Sequence, residues 1–206
     1  VEVYSTEEQQ VDAIKQFWKD NGTAIMIGAV VGLGGLYGWN TYSAKQLESA
    51  ENASAAFQTI TDKAAQPQAV IDAAPEFAKN HSEAGYQALL DMMVAKSAVE
   101  MGDLAKAEQT FKQIIAAKPG AGIESVATLR LARVQAEQGN VGIALETLEQ
   151  VTDAAFAAQR DELKGDYLVR QGDIDNARVA YQAAIDKGGV TSSPALTMKL
   201  DNLNKA

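Results

Sequence analysis

Chemistry needs reactive groups with partners at set spacings, and this sequence offers few. His81 is the single histidine. It lies between Asn80 and Ser82 in a predicted interhelix turn, where a solvated or capping role suits it, because a dyad or a metal site needs further ligands nearby. Cysteine is absent, which removes disulfides and thiolate–zinc sites. Glu7-Glu8 and Asp161-Glu162 are carboxylate pairs of the type used in acid–base catalysis, but both fall on helices whose polar faces suit solvent. Gly32-Leu33-Gly34-Gly35 has the composition of a phosphate loop without the lysine that such a loop requires. No nucleophile elbow, Walker or dinucleotide-binding glycine motif occurs. These residues predict a protein that is not an enzyme, with no catalytic residue, metal or cofactor.

Charge narrows the partners. The formal net charge is −9 and the isoelectric point about 4.7. No basic stripe interrupts the acidity, so nucleic acid is a poor partner.

The elements that could position any binding residue begin with an uncharged run, Asn21 to Ala44, whose apolar centre is Ala24 to Trp39. As a helix the run spans about 36 Å at ~1.5 Å per residue, enough for a hydrocarbon core of about 30 Å. Phe17 and Trp18 precede it, and Tyr37, Trp39 and Tyr42 lie at its far end, as expected of aromatic side chains at two membrane interfaces. A cleaved signal requires a basic start and a small-residue cleavage site. Here Glu2, Glu7, Glu8, Asp12 and Asp20 outnumber Lys15 and Lys19. The expectation is a permanent anchor at 23–43, between a cytoplasmic tail at 1–22 and a domain at 44–206. Lys15 and Lys19 against Lys45 place the N-terminus inside. In a Gram-negative cell that makes an inner-membrane protein with a periplasmic C-terminal domain. Val11, Ile14, Phe17 and Trp18 form an apolar stripe before the span, either an interfacial helix or a docking helix for a cytoplasmic partner. Asn21-Gly22 is the expected break before the membrane helix. Gly28, Gly32 and Gly35 share one face, suited to close packing against another membrane helix.

Beyond the span, helical spacing continues to about Ala65 and Gln66-Pro67 interrupts it. Helices follow at about 69–79 and 82–101. Then a pattern recurs. Gly102-Asp103-Leu104 with Ala107 and Phe111 returns as Gly139-Asn140-Val141 with Ala144 and Leu148. It returns again as Gly172-Asp173-Ile174 with Ala177 and Tyr181. Glycine ends one helix, Asp or Asn caps the next, alanine allows close approach, and the large residue fills the space toward the neighbouring unit. The glycines are 37 and 33 residues apart, a spacing that predicts a helical solenoid. No strand-like alternation competes in this half, so the fold class is all-α.

The pattern resembles the tetratricopeptide repeat. Ala107, Phe111 and Pro119 take the places of that family's alanine, aromatic and closing proline, and Ala95, Ala132 and Gly165 take those of its small first-helix residue. Its first-helix tryptophan and tyrosine are absent. The first interval exceeds the usual length of about 34 residues, with the excess expected at 121–123. The repeats cover about Ser82 to Gly188, with an earlier helical pair at 44–80 and a closing helix at 195–203.

The order of features also resembles the YfgM family. The correspondence rests on Val11-Asp12-Ala13-Ile14-Lys15-Gln16-Phe17-Trp18 before a glycine-rich span, Gly38-Trp39 at its exit, Leu129 to Gln135 in the middle repeat, and Met198, Lys199, Asn202 and Leu203 near the end. That resemblance implies an ancillary subunit of the Sec translocon. It also implies partners in a membrane-anchored periplasmic chaperone of the prolyl-isomerase type and in translocating or unfolded chains. The expected function is a membrane-tethered interaction module that helps pass newly translocated proteins to periplasmic chaperones. The alternative is an assembly subunit of a membrane complex that binds no client. In tetratricopeptide arrays the first helix of each pair lines the concave face. Transferring those positions gives Met92, Lys96, Leu129, Arg133, Glu162, Asp166 and Arg170 as protein-binding residues. Their mixed chemistry suits sequence-tolerant binding, without the Lys and Asn ring that clamps a C-terminal carboxylate.

Overall fold

A computed structural model describes residues 7–204. Every regular element among them is helical: α1 (Glu7–Thr61), α2 (Pro67–Asn80), α3 (Ala84–Glu100), α4 (Leu104–Ala117), α5 (Ala121–Glu137), α6 (Val141–Leu148), α7 (Ala157–Gln171), α8 (Ile174–Asp186) and α9 (Leu196–Asn204). Short 3-10 turns at Ala154–Phe156 and Gly189–Thr191 lie in two of the connections. Part of the acidic tail, residues 1–6, lies outside the described residues. The chain divides into two compact units, Val1–Glu51 and Asn52–Ala206.

In the first unit, α1 is helical through Asn21 and Gly22, where the sequence predicts a break. The Asn21 side-chain amide donates to the Phe17 carbonyl at 3.2 Å, one turn back. The residue that favours a turn thus binds within the helix instead. From Ile25 to Tyr42 the large apolar side chains are exposed. This helix is long and apolar enough to cross a membrane once. A Cβ added at Gly28, Gly32 or Gly35 meets nothing within 4 Å, and the same holds at Gly34 and Gly38. The glycine face is therefore open, and its neighbours are equally so.

In the second unit, the last turns of α1 contribute Ala53 and Ile60 to a core with Val70, Phe77, Leu90 and Val94. Pro67 opens α2 as its first residue, where its missing N–H has no intrahelical partner to lose. His81 follows α2, its backbone N–H donating to the Phe77 carbonyl and its ring lying 4.6 Å from the Phe77 ring.

The repeats pack as their spacing predicts. α3 and α4 pair, as do α5 and α6, and α7 and α8. Gly102, Gly139 and Gly172 all have φ between 80° and 87°, the left-handed turn that only glycine adopts freely. Asp103 caps α4 by accepting from Lys106 N at 2.9 Å, and Asp173 caps α8 by accepting from Asn176 N at 3.3 Å. Asn140 makes no such bond to α6. Ala107, Ala144 and Ala177 are buried, as are Phe111, Leu148 and Tyr181 four residues on. Residues 121–123 form the first turn of α5, so the longer first interval is absorbed as helix. Between α5 and α6, the buried Thr147 hydroxyl donates to Gln135 Oε1 at 2.7 Å, which pairs two polar groups that burial would otherwise leave without water. At the start of α7, buried Asp161 accepts from Arg160 at 2.8 Å and pairs with Lys187. Burial opposes its charge, but the two cations outweigh it and hold the carboxyl below its usual range.

Candidate functional site

The site grows from the carboxy-terminal halves of α3 and α5. Both helices are packed on more than one side, α5 against α4 and α6, so only a narrow strip of each stays open. On α3 the strip is Lys96, Val99 and Glu100, and on α5 it is Arg130, Arg133 and Glu137. Between the strips lies a pocket of about 410 Å³, a size typical of ligand sites at about 300–1,000 Å³. Leu104 and Phe111 of α4 and Val134 of α5 complete its lining, which is mostly apolar.

The rim charges are not all free. Lys96 lies 3.3 Å from Glu100 one turn on. Glu137 accepts from Arg170 of α7 at 2.8 Å. Among the described residues, Arg130 donates to the Met92 sulfur at 3.7 Å, a weak acceptor. Among the described residues no carboxylate pairs with Arg130 or Arg133. The Arg170 guanidinium also sits 5.8 Å over the Tyr167 ring. Burial pushes the Tyr167 phenol up to about 12, against the opposing charges of Arg133 and Arg170.

The expected binding residues divide three ways. Lys96 and Arg133 line the pocket, and Arg170 stands at its edge through Glu137. Met92 and Leu129 do not offer the exposed apolar contacts expected of them. They are 8% and 2% exposed and belong to the cores around α4 and α6. An apolar residue on a helix packed on both sides is drawn into the interface rather than the groove. Glu162 and Asp166 are already engaged within the chain. Lys199 of α9 donates to Glu162 Oε1 at 2.9 Å and to Asp166 Oδ1 at 2.7 Å. Ser193 donates to the same Glu162 oxygen at 2.7 Å, and the Tyr181 hydroxyl to Asp166 Oδ1 at 2.8 Å. Burial opposes the Lys199 charge, yet the two carboxylates raise its pKa above the usual lysine value. The closing helix thus occupies this part of the third repeat.

Sequence reasoning missed Val99, Glu100, Leu104, Phe111, Arg130, Val134 and Glu137. Part of the set was within reach. Glu100 and Glu137 stand four residues beyond Lys96 and Arg133, on the same helix faces. Arg130 is the neighbour of the position chosen, one step around the helix.

Comparison with known proteins gives a consistent result. A family described as "Tetratricopeptide repeat-like domain" matches residues 15–205. A protein of Escherichia coli K12 named "Ancillary SecYEG translocon subunit" is 34% identical over 99% of this chain and 100% of its own length. A protein of the same name from Aggregatibacter actinomycetemcomitans is 33% identical over 96% of this chain and 97% of its own. A solved structure, "MamA RS-1 ArsTM double mutant", superposes with a TM-score of 0.55 at 17% identity, covering 76% of this chain and 95% of that one. It supports the helical-repeat fold and nothing further.

Proposed function

Because this chain belongs to the family of ancillary SecYEG translocon subunits and carries its tetratricopeptide-like domain, we propose that it is a membrane-tethered, non-enzymatic interaction module associated with the Sec translocon. One observation carries the reading. A single chain joins an apolar helix with outward apolar side chains to a repeat domain with an open, apolar-floored pocket. The first suits lodging in a bilayer, and the second suits holding a segment of another protein. In this reading α1 crosses the inner membrane with its N-terminus inside. The repeats then stand in the periplasm and help pass translocated chains to a membrane-anchored chaperone of the prolyl-isomerase type. The Gly28, Gly32 and Gly35 face approaches a translocon helix. The engagement of Glu162 and Asp166 by α9 favours a second reading, an assembly subunit that binds no client.

Affinity purification of the full chain from mild-detergent extracts is the test. Translocon subunits are expected to co-purify, and Gly32→Leu is expected to lower their recovery severalfold. Wild-type extracts without translocon subunits sink the proposal. Unchanged recovery with Gly32→Leu removes the glycine face from it. Slowed aggregation of an unfolded protein by the purified chain would favour client handling over the assembly reading.

Orientation is tested with single cysteines at Ser5, outside the described residues, and at exposed Thr152. An impermeant thiol reagent, applied to cells with a permeabilised outer membrane, is expected to label Thr152→Cys and spare Ser5→Cys. The opposite pattern refutes the orientation.

A further inference from the structure

The pocket between α3, α4 and α5 has a charge pattern that specifies more than a general interaction surface. Its floor is apolar, formed by Val99, Leu104, Phe111 and Val134. Of its rim charges, Lys96 with Glu100 and Glu137 with Arg170 neutralise one another. What remains is Arg130 and Arg133, two guanidinium groups three residues apart on one helix, both exposed and without a carboxylate partner among the described residues. A chain of net charge −9 thus holds a local excess of positive charge beside an apolar hollow.

Resting on the interaction-module reading above, we propose that this pocket binds an extended segment of a partner protein in which a large apolar side chain stands directly beside an aspartate or glutamate. The apolar side chain enters between Val99, Leu104, Phe111 and Val134. The neighbouring carboxylate lies across Arg130 and Arg133, whose planar donor groups match carboxylate oxygens. Each half explains the other. The seated apolar side chain covers one side of the ion pair from water, which strengthens it relative to a pair in bulk water, and the arginines give the hollow a direction and a sign. A basic segment meets like charge at the rim, which is how such a surface rejects wrong partners.

The test uses purified full chain in detergent micelles and short fluorescent peptides capped at both ends. One peptide carries Asp-Phe-Asp at its centre, and its controls carry Lys-Phe-Lys and Asp-Ala-Asp. Binding is read by fluorescence anisotropy. The first peptide is expected to bind at least about tenfold more tightly than either control, and to weaken as salt rises. Arg130→Gln with Arg133→Gln is expected to erase that preference while the thermal unfolding transition is kept. Val99→Glu, at an exposed position, places a like charge against the carboxylate and gives the same loss should the double variant fail to fold. Equal binding of the lysine peptide overturns the proposal. So does undiminished binding by folded variants. Tighter binding of a peptide with a free C-terminus than of its capped form reassigns the arginines to a chain end and also overturns it. Translocon recovery is measured separately on the wild type. Failure of the peptides with intact recovery removes only the pocket's specificity, while loss of recovery removes the broader reading.

Discussion

Leu129→Glu is expected to abolish the cooperative thermal unfolding of the repeat domain. Leu129 is among the largest fully buried side chains and packs in the core with Ala132, Leu148, Leu163 and Tyr167. Deleting such a side chain costs about 2–5 kcal/mol, and an unpaired carboxylate in its place adds several kcal/mol more. The total approaches the whole stability of a typical domain, about 5–15 kcal/mol. Met92→Glu acts in the same direction on the adjoining core around α4. Circular dichroism on heating and limited proteolysis provide the readout. Arg133→Glu is the matched control, because an exposed position away from core packing shifts stability by only about 0.5 kcal/mol. A Leu129→Glu protein that unfolds like wild type would place this residue on the surface and refute the core assignment.

Gly165→Ala should also destabilise the domain, although alanine is the better helix former by about 1 kcal/mol. The reason is contact. A Cβ at this position falls 2.4 Å from two ring carbons of Tyr181 and 3.0 Å from a third. The ring cannot simply swing away, since it is buried and its hydroxyl is tied to Asp166 at 2.8 Å. Overpacking of this kind costs about 1–3 kcal/mol. Because the clash meets the body of the ring, the upper part of that range applies and exceeds the propensity gain. The midpoint should fall by several degrees, at about 2–4 °C per kcal/mol for a domain of this size. Tyr181→Leu in the same chain removes the ring, so the double variant should be more stable than the sum of the two single losses. Additive losses would show that Gly165 and Tyr181 do not make the contact described.

Gly165 and Tyr181 were legible in the sequence as a small and a large residue at fixed offsets, and so was most of the repeat architecture. The reason is that its signals are local. A left-handed glycine, an aspartate cap and an alanine four residues before a bulky side chain each act within one or two helical turns. The absent Asn140 cap and the unbroken helix at Asn21-Gly22 show where local preference yields to neighbouring helix. The binding surface was harder to read, because it depends on which faces of α3 and α5 remain uncovered once both neighbours have packed. Met92 and Leu129 hold first-helix positions that can face a groove, and here they face the adjoining helices. Arg130, one residue away, takes the open side. Nor could the sequence alone indicate that Lys199 returns to Glu162 and Asp166 across more than thirty positions, at separations of 37 and 33 residues.

The cores of the repeat domain follow one another along the chain. One draws on residues 53–94, the next on 92–134, the next on 129–167, and the last on residues from 145 to 203. Each closes from a few neighbouring helices and shares a helix with its successor. Such an arrangement has low contact order and can propagate from one end. For a polypeptide that emerges from the ribosome amino-terminal end first, this means vectorial folding. Each core can close when its last helix arrives, without waiting for the C-terminus. The core side chains of the repeat domain that are exposed at any moment are then confined to the unit still being completed. Helix α9 then seats Lys199 on the third repeat through Glu162 and Asp166.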